Sequence, residues 1–257
     1  MSELKLENIS VAAEAKTVVS DVSLSVASGE LHVLMGPNGS GKSSLLSGVM
    51  GHPKFALNGG KILIDGEEIT GLSTEEKARK GIFLSMQYIP EIPGVTLLNF
   101  LHRAYRANAE YPHPNPLPEK GEGAKLSILD YYKLLEGKAK EVGIDPSYLK
   151  RQVGSGLSGG EKKQAEMLQL LALKPKFALL DEIDSGVDVD AMKHIVAGIA
   201  KARTEGTGVL WVTHYASLLK QVTPDHVSVM QEGKIVRTGG HELAAEIAEK
   251  GFEAKIQ

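Results

Sequence analysis

Leu31-His32-Val33-Leu34-Met35-Gly36-Pro37-Asn38-Gly39-Ser40-Gly41-Lys42-Ser43-Ser44 is the stretch on which the reading of this sequence turns. Residues 31–35 are the length and composition of a short buried strand. They run into a glycine-rich octet, residues 36–43, and Lys42–Met50 reads as the helix that follows. A strand, then Gly-x-x-x-x-Gly-Lys-Ser, then a helix is the arrangement of a phosphate-binding loop. Glycines let the backbone curl so that successive amides point at phosphate oxygens, and the helix N-terminus adds partial positive charge. Gly36, Pro37, Asn38, Gly39, Ser40, Gly41, Lys42, Ser43 and Ser44 are therefore expected to bind ATP. Lys42 is placed to reach the β- and γ-phosphates, and the Ser43 hydroxyl to coordinate Mg²⁺.

Two further stretches complete a site around that loop. Phe177-Ala178-Leu179-Leu180-Asp181-Glu182 is an apolar strand ending in two acids. Such a strand sets carboxylates beside the phosphate loop at the C-terminal edge of a sheet. Asp181 is expected to hold Mg²⁺, directly or through water, and Glu182 to polarise the attacking water as general base. Leu157-Ser158-Gly159-Gly160-Glu161 opens a helix running through Leu173, with Ser158 as N-cap and two glycines freeing backbone amides. That is a second anion site. One chain with a phosphate loop and a separate anion site suggests two chains sharing each nucleotide.

Composition narrows the surroundings. A chain of 257 residues, 42% apolar and 24% charged, can bury one large domain or a domain with an inserted lobe. The formal charge of −3 offers no basic excess for neutralising nucleic-acid phosphates. With no cysteine, disulfides and thiolate metal sites are impossible. No apolar run approaches the roughly 20 residues of a membrane-spanning helix, and the charged, alternating start lacks a signal-peptide pattern. A cytoplasmic location without membrane insertion is expected, so any work at a membrane needs a partner.

Strand-like and helix-like segments alternate through most of the chain, as in α/β folds. Residues 177–180, 209–213 and 226–230 read as strands, and residues 190–203 and 216–221 as helices. Residues 229–236 read as a hairpin turning at Glu232-Gly233, and residues 242–250 as a closing helix stopped by Gly251. Between about 89 and 156 the strand signals disappear, and residues 131–142 carry helical apolar spacing. The expected division is a nucleotide-binding core over 1–88, an inserted helical lobe over 89–156, and the helix opened by Ser158 with the rest of the core over 157–257. Within the lobe, Tyr111-Pro112-His113-Pro114-Asn115-Pro116-Leu117-Pro118 loses amide donors and helix-compatible backbone, so residues 111–123 read as an extended loop.

These motifs, in this order, resemble the ABC-type ATPases over nearly the whole chain. The resemblance implies a RecA-like core with an N-terminal antiparallel β subdomain and an inserted helical lobe. It also implies an ATP-dependent homodimer, with Ser158, Gly159, Gly160 and Asp188 facing the partner's nucleotide. Gln87, after the strand over 81–86, matches the glutamine that senses Mg²⁺. His214 matches the switch histidine at the γ-phosphate, joining Glu182 and Lys42 as the catalytic set. Ser44 stands where threonine is commoner, and the hydroxyl is kept. Residues 11–19 lack the aromatic residue on which many family members stack adenine, so loose base recognition is expected.

Local wording narrows the resemblance. Gly81-Ile82-Phe83-Leu84-Ser85-Met86-Gln87-Tyr88, Glu91-Ile92-Pro93-Gly94-Val95, Ser158-Gly159-Gly160-Glu161-Lys162-Lys163, residues 180–190 and Thr213-His214-Tyr215 are similar to the SufC-type ATPases of the SUF iron–sulfur cluster assembly system. Transporter subunits commonly carry Pro-Thr or Ala-Thr where Ile183-Asp184 stands. The likeness implies SufB-like and SufD-like scaffold partners, docked through the helical lobe and the segment after Gln87. The other reading is the ATP-binding subunit of an ABC membrane transporter. The proline-rich insertion is a departure from the SufC pattern.

Overall fold

The structure is a computed structural model that describes residues 2–85, 91–108, 126–213 and 222–251. Along Glu3–Ala13 (β1), Leu4, Leu6, Ile9 and Val11 are buried between exposed or half-exposed polar neighbours. That alternation belongs to an antiparallel strand with one face in water. β1 pairs antiparallel with Lys16–Ala27 (β2) and with Phe55–Ile64 (β4), and Glu67–Glu68 (β5) closes a four-stranded sheet ordered β2-β1-β4-β5.

The second sheet is built from strands buried along their whole length. Leu31–Met35 (β3), Phe177–Asp181 (β9) and Gly208–Val212 (β10) have no exposed residue. Near-continuous apolar runs are what a parallel sheet covered on both faces requires. With Ile82–Ser85 (β6), His226–Gln231 (β11) and Lys234–Gly239 (β12), they form six strands ordered β12-β11-β3-β10-β9-β6. All ladders are parallel except β11 with β12, the expected hairpin. Its turn residues Glu232 and Gly233 both have positive φ, 48° and 79°, the backbone that matches the twist of the flanking strands.

Lys42–Met50 (α1) lies in the apolar layer between the two sheets. Leu45, Leu46 and Val49 are fully buried there with Leu4, Val11, Ile62, Leu179 and Leu210. Removing such a side chain costs about 2–5 kcal/mol. Thr74–Arg79 (α2) follows β5 and is closed by a Ser73–Glu76 capping box. The opposite face of the parallel sheet carries the larger core, where Trp211, Leu180 and Val33 meet Leu168, Leu171 and Ile195. Those come from Gly159–Leu173 (α5) and Val189–Thr204 (α6), with His241–Lys250 (α7) near β11 and β12.

The helical region holds Leu97–Asn108 (α3), Ile128–Glu141 (α4) and the 3-10 turn Pro146–Lys150. It is not free of strands, as the sequence reading had it. Ile92–Thr96 (β7) pairs antiparallel with Gln152–Val153 (β8) at its base, and Leu97 N–H donates to Arg151 C=O at 2.9 Å. Pro93-Gly94 disguised β7 as a turn, and β8 is two residues long. The expected helix over 216–221 and the proline-rich loop over 111–123 lie outside the described residues. No described helix is long and apolar enough to cross a membrane. The architecture is mixed α/β, with an antiparallel β subdomain and helical regions around a parallel sheet.

Candidate functional site

The loop between β3 and α1 is shaped by the hairpin at the far end of the chain. At Gly36 φ is +151°, and a Cβ there would stand 2.1 Å from the Met230 carbonyl oxygen. Any side chain at 36 must push β11 away. Gly233 N–H, in the β11–β12 turn, donates to the Ser40 carbonyl at 2.9 Å and holds the loop from the same side.

The first turn of α1 is open to a ligand. Its N-cap is Gly41 (φ 105°), which makes no side-chain cap. A helix start leaves amide donors without intrahelical partners, and they attract anions. The Ser40 hydroxyl is buried and has no hydrogen-bond partner among the described residues. Lys42 is 4% exposed, and its ammonium donates to the carbonyls of Gly36 (2.9 Å) and Pro37 (3.0 Å). Burial lowers its pKa, opposed by the charges of Glu182 and Asp181. A phosphate chain offers that buried cation a stronger partner than two neutral carbonyls.

Asp181 ends β9 and receives a 2.8 Å hydrogen bond from the Ser43 hydroxyl, so the two expected cation ligands are adjacent. Burial pushes the Asp181 carboxyl above its ordinary value of 3.8; the Ser43 bond lowers it and the neighbouring Glu182 raises it. A hydroxyl and a carboxylate suit a hard divalent cation such as Mg²⁺, which completes its shell with phosphate and water oxygens. No group of three or more His, Asp or Glu side chains able to hold a metal occurs among the described residues.

Glu182 has φ 46°, a left-handed conformation uncommon for a residue with a side chain and concentrated at functional sites. Its N–H donates to Val212 C=O (3.0 Å), and its own carbonyl accepts from Ser185 N–H (2.9 Å). The sheet and this tight turn thus aim it beyond the strand end, beside Lys42 and Asp181. Asn38 and Gly39 form the exposed outer part of the loop, while Ser44 lies in the first turn of α1.

The other described residues of the predicted site lie at the starts of α5 and α6. Ser158 caps α5, accepting from Glu161 N–H (3.3 Å) while Glu161 accepts from Ser158 N–H (2.8 Å). Arg151 donates to Glu161 at 2.9 Å. These bonds hold the Glu161 carboxyl below its ordinary value, the Ser158 N–H bond contributing most. Gly159 packs against the loop before α6, where a Cβ would come 3.5 Å from Gly186 O, and Gly160 against α6 itself, 3.4 Å from Ala191 Cβ. Asp188 caps α6, accepting from Ala191 N–H at 2.8 Å. Gln87 and His214 lie outside the described residues.

One acid in this neighbourhood received no role from the sequence. Asp184 is 3% exposed and accepts from Trp211 Nε1 (3.2 Å) and Thr213 Oγ1 (2.6 Å). An acid replacing the usual threonine in Ile183-Asp184 was the visible signal, but its partners are a strand away and have no periodic mark.

Among known proteins, the profile described as "ABC transporter" matches residues 19–185. Vegetative protein 296 of Bacillus subtilis (strain 168) is 41% identical over 252 residues, covering 98% of this chain and 92% of that protein. A probable ABC transporter ATP-binding protein of Streptococcus pyogenes serotype M18 (strain MGAS8232) is 42% identical over 257 residues, covering 100% and 96%. A solved ATP-binding cassette of an ABC transporter superposes with a TM-score of 0.77 at 25% identity, over the whole of both chains. An uncapped helix start behind a glycine loop, met by a strand-end aspartate, is thus set in a chain that matches one family along nearly all its length, and the protein belongs to the ABC transporter family of ATP-binding proteins.

Proposed function

We propose that this chain is a Mg²⁺-dependent ATPase whose copies hydrolyse ATP as a head-to-tail pair, driving shape changes in SUF-type iron–sulfur scaffold proteins. The observation that carries the ATPase reading is the Ser43–Asp181 contact, which joins the phosphate loop to the acid-ended strand at 2.8 Å. Mg²⁺, held by Ser43 and Asp181 with Gln87, would neutralise phosphate charge. Lys42 leaves the Gly36 and Pro37 carbonyls for the β- and γ-phosphates. Glu182 takes a proton from the attacking water, an effect typically worth 10²–10⁴-fold. His214 contacts the γ-phosphate. Ser158, Gly159, Gly160 and Asp188 of the other copy close the site. On this reading residues 1–88 and 157–257 are one core interrupted by a lobe over 89–156, and the protein works in the cytoplasm.

The scaffold role is supported by the SufC-like wording around Gln87, the signature and Ile183-Asp184. An apolar groove of about 390 Å³ between α1, α2 and the edge strand β6 adds a surface for a partner helix. Its walls include Met50, Phe83, Leu84, Leu173 and Pro175, immediately before the segment that contains Gln87. A second reading, the ATP-binding subunit of a membrane transporter, is favoured by the name of the Streptococcus relative. Affinity purification from the native cell with mass spectrometry separates them. Soluble, cysteine-containing partners support the scaffold role, whereas a multi-span membrane partner replaces it with transport.

A further inference from the structure

We infer that Asp184 is a positioning residue for hydrolysis: its buried carboxylate fastens the turn that carries Glu182 to the end of strand β10, directly before residue 214. The inference rests on the reading of Glu182 and His214 as hydrolytic groups.

The turn after β9 is short. Glu182 N–H is tied to Val212 on β10, and Ser185 N–H closes back on Glu182 C=O. The chain therefore reverses within four residues and returns the Asp184 side chain over the sheet it has just left. There it meets two donors, the Trp211 indole N–H on β10 at 3.2 Å and the hydroxyl of Thr213, the residue after that strand, at 2.6 Å. Trp211 is fully buried in the larger core, and Thr213 N–H is itself anchored to Leu34 C=O on β3 at 3.2 Å.

Such an arrangement is not needed to fill space. An apolar residue would pack in the same core without the cost of dehydrating a carboxylate. What the carboxylate adds is direction. Its two oxygens bind donors two residues apart, Trp211 on β10 and Thr213 just past its end, so the turn cannot slide along the strand without breaking a charge-assisted hydrogen bond. Glu182, two residues before Asp184, is then held at a fixed separation from Thr213 and the end of β10. A general base must hold its geometry within about an ångström to act on a water attacking a phosphoryl group.

The test measures steady-state ATP hydrolysis by the purified full chain, with KM and kcat separated, for Asp184→Ala, Thr213→Val, Thr213→Ser and Glu182→Gln. The expected result is a kcat at least tenfold lower for Asp184→Ala and Thr213→Val, with KM for ATP within about twofold. Thr213→Ser, which keeps the hydroxyl, should return to within about threefold of the parent. If Asp184→Ala fails to fold, the Thr213→Val and Thr213→Ser pair carries the test alone. Parent-like kcat in Asp184→Ala or Thr213→Val overturns the inference, and so does loss of kcat and ATP affinity together, the mark of a merely structural bond. Glu182→Gln separates the two levels: if it is inactive while those variants turn over normally, the base assignment stands and only the positioning role falls.

Discussion

The starts of α1 and α5 are both helix N-termini behind glycines, yet they are finished in opposite ways. At α1 the cap is a glycine, no side chain accepts from the first amides, and the buried Ser40 hydroxyl nearby has no partner among the described residues. At α5 the chain satisfies itself, with Ser158 and Glu161 exchanging bonds in a capping box and Arg151 bracing Glu161. The first end leaves its donors for a phosphate; the second is a finished surface. At α5 both the N–H and the hydroxyl of Ser158 are turned to the Glu161 carboxyl, which they hold below its ordinary value. On the proposed reading, a site completed by another copy is presented preformed, whereas a site that wraps its own ligand is left open.

The largest effect expected from breaking this contrast is at Lys42. Lys42→Ala should lower ATP turnover by a factor of about 10²–10³, in line with losing a preorganised charge at a reacting phosphate. Phosphate release reads it directly. Ser158→Ala comes next. Single-chain ATP affinity should stay unchanged while turnover of the pair falls about tenfold or more, and the lost cap should cost about 1 kcal/mol in denaturant melts. Mixing the Lys42→Ala and Ser158→Ala proteins sharpens the point: one composite site then has both an intact loop and an intact signature, so activity should reappear. No recovery would mean that the two helix ends do not serve one nucleotide.

A smaller effect concerns Asp181. Burial raises its pKa in the folded chain, so the native state holds that proton more tightly than the unfolded chain does. Its contribution to stability is greatest at low pH and declines as pH rises from about 4 through the raised value. Asp181→Asn removes the decline. Its melting temperature should gain on the parent between pH 4 and 7, while Mg²⁺-dependent hydrolysis is lost. Smallest of all should be Glu161→Gln, which keeps an acceptor for Ser158 N–H and loses only the charge facing a partly exposed Arg151. A change of no more than about 1 kcal/mol is expected from chemical melts.

Legibility followed the same line. Strand β3, helix α1 and the β11–β12 hairpin could be read because each carries its own local cause: an unbroken apolar run, a glycine loop, a Glu-Gly turn. Ser158 could be read as a cap because its partner is three residues away. β7 and β8 could not, since Pro93-Gly94 mimics a turn and two residues carry no period. Asp184 was overlooked for a different reason. Its meaning lies in Trp211 and Thr213, which only the sheet brings beside it. Local chemistry announces itself in sequence, while a bond between strands waits for the fold.

The strand order carries a last consequence, for how the molecule is made. β3, the all-apolar strand that feeds the phosphate loop, is hydrogen-bonded only between β10 and β11, both encoded in the final quarter of the chain. At roughly 5–20 residues per second, a ribosome needs on the order of ten seconds or more to deliver them. Throughout that interval the growing chain carries Leu31–Met35 with neither edge paired. Chaperone occupancy on stalled nascent chains should therefore persist until β10 and β11 have left the exit tunnel.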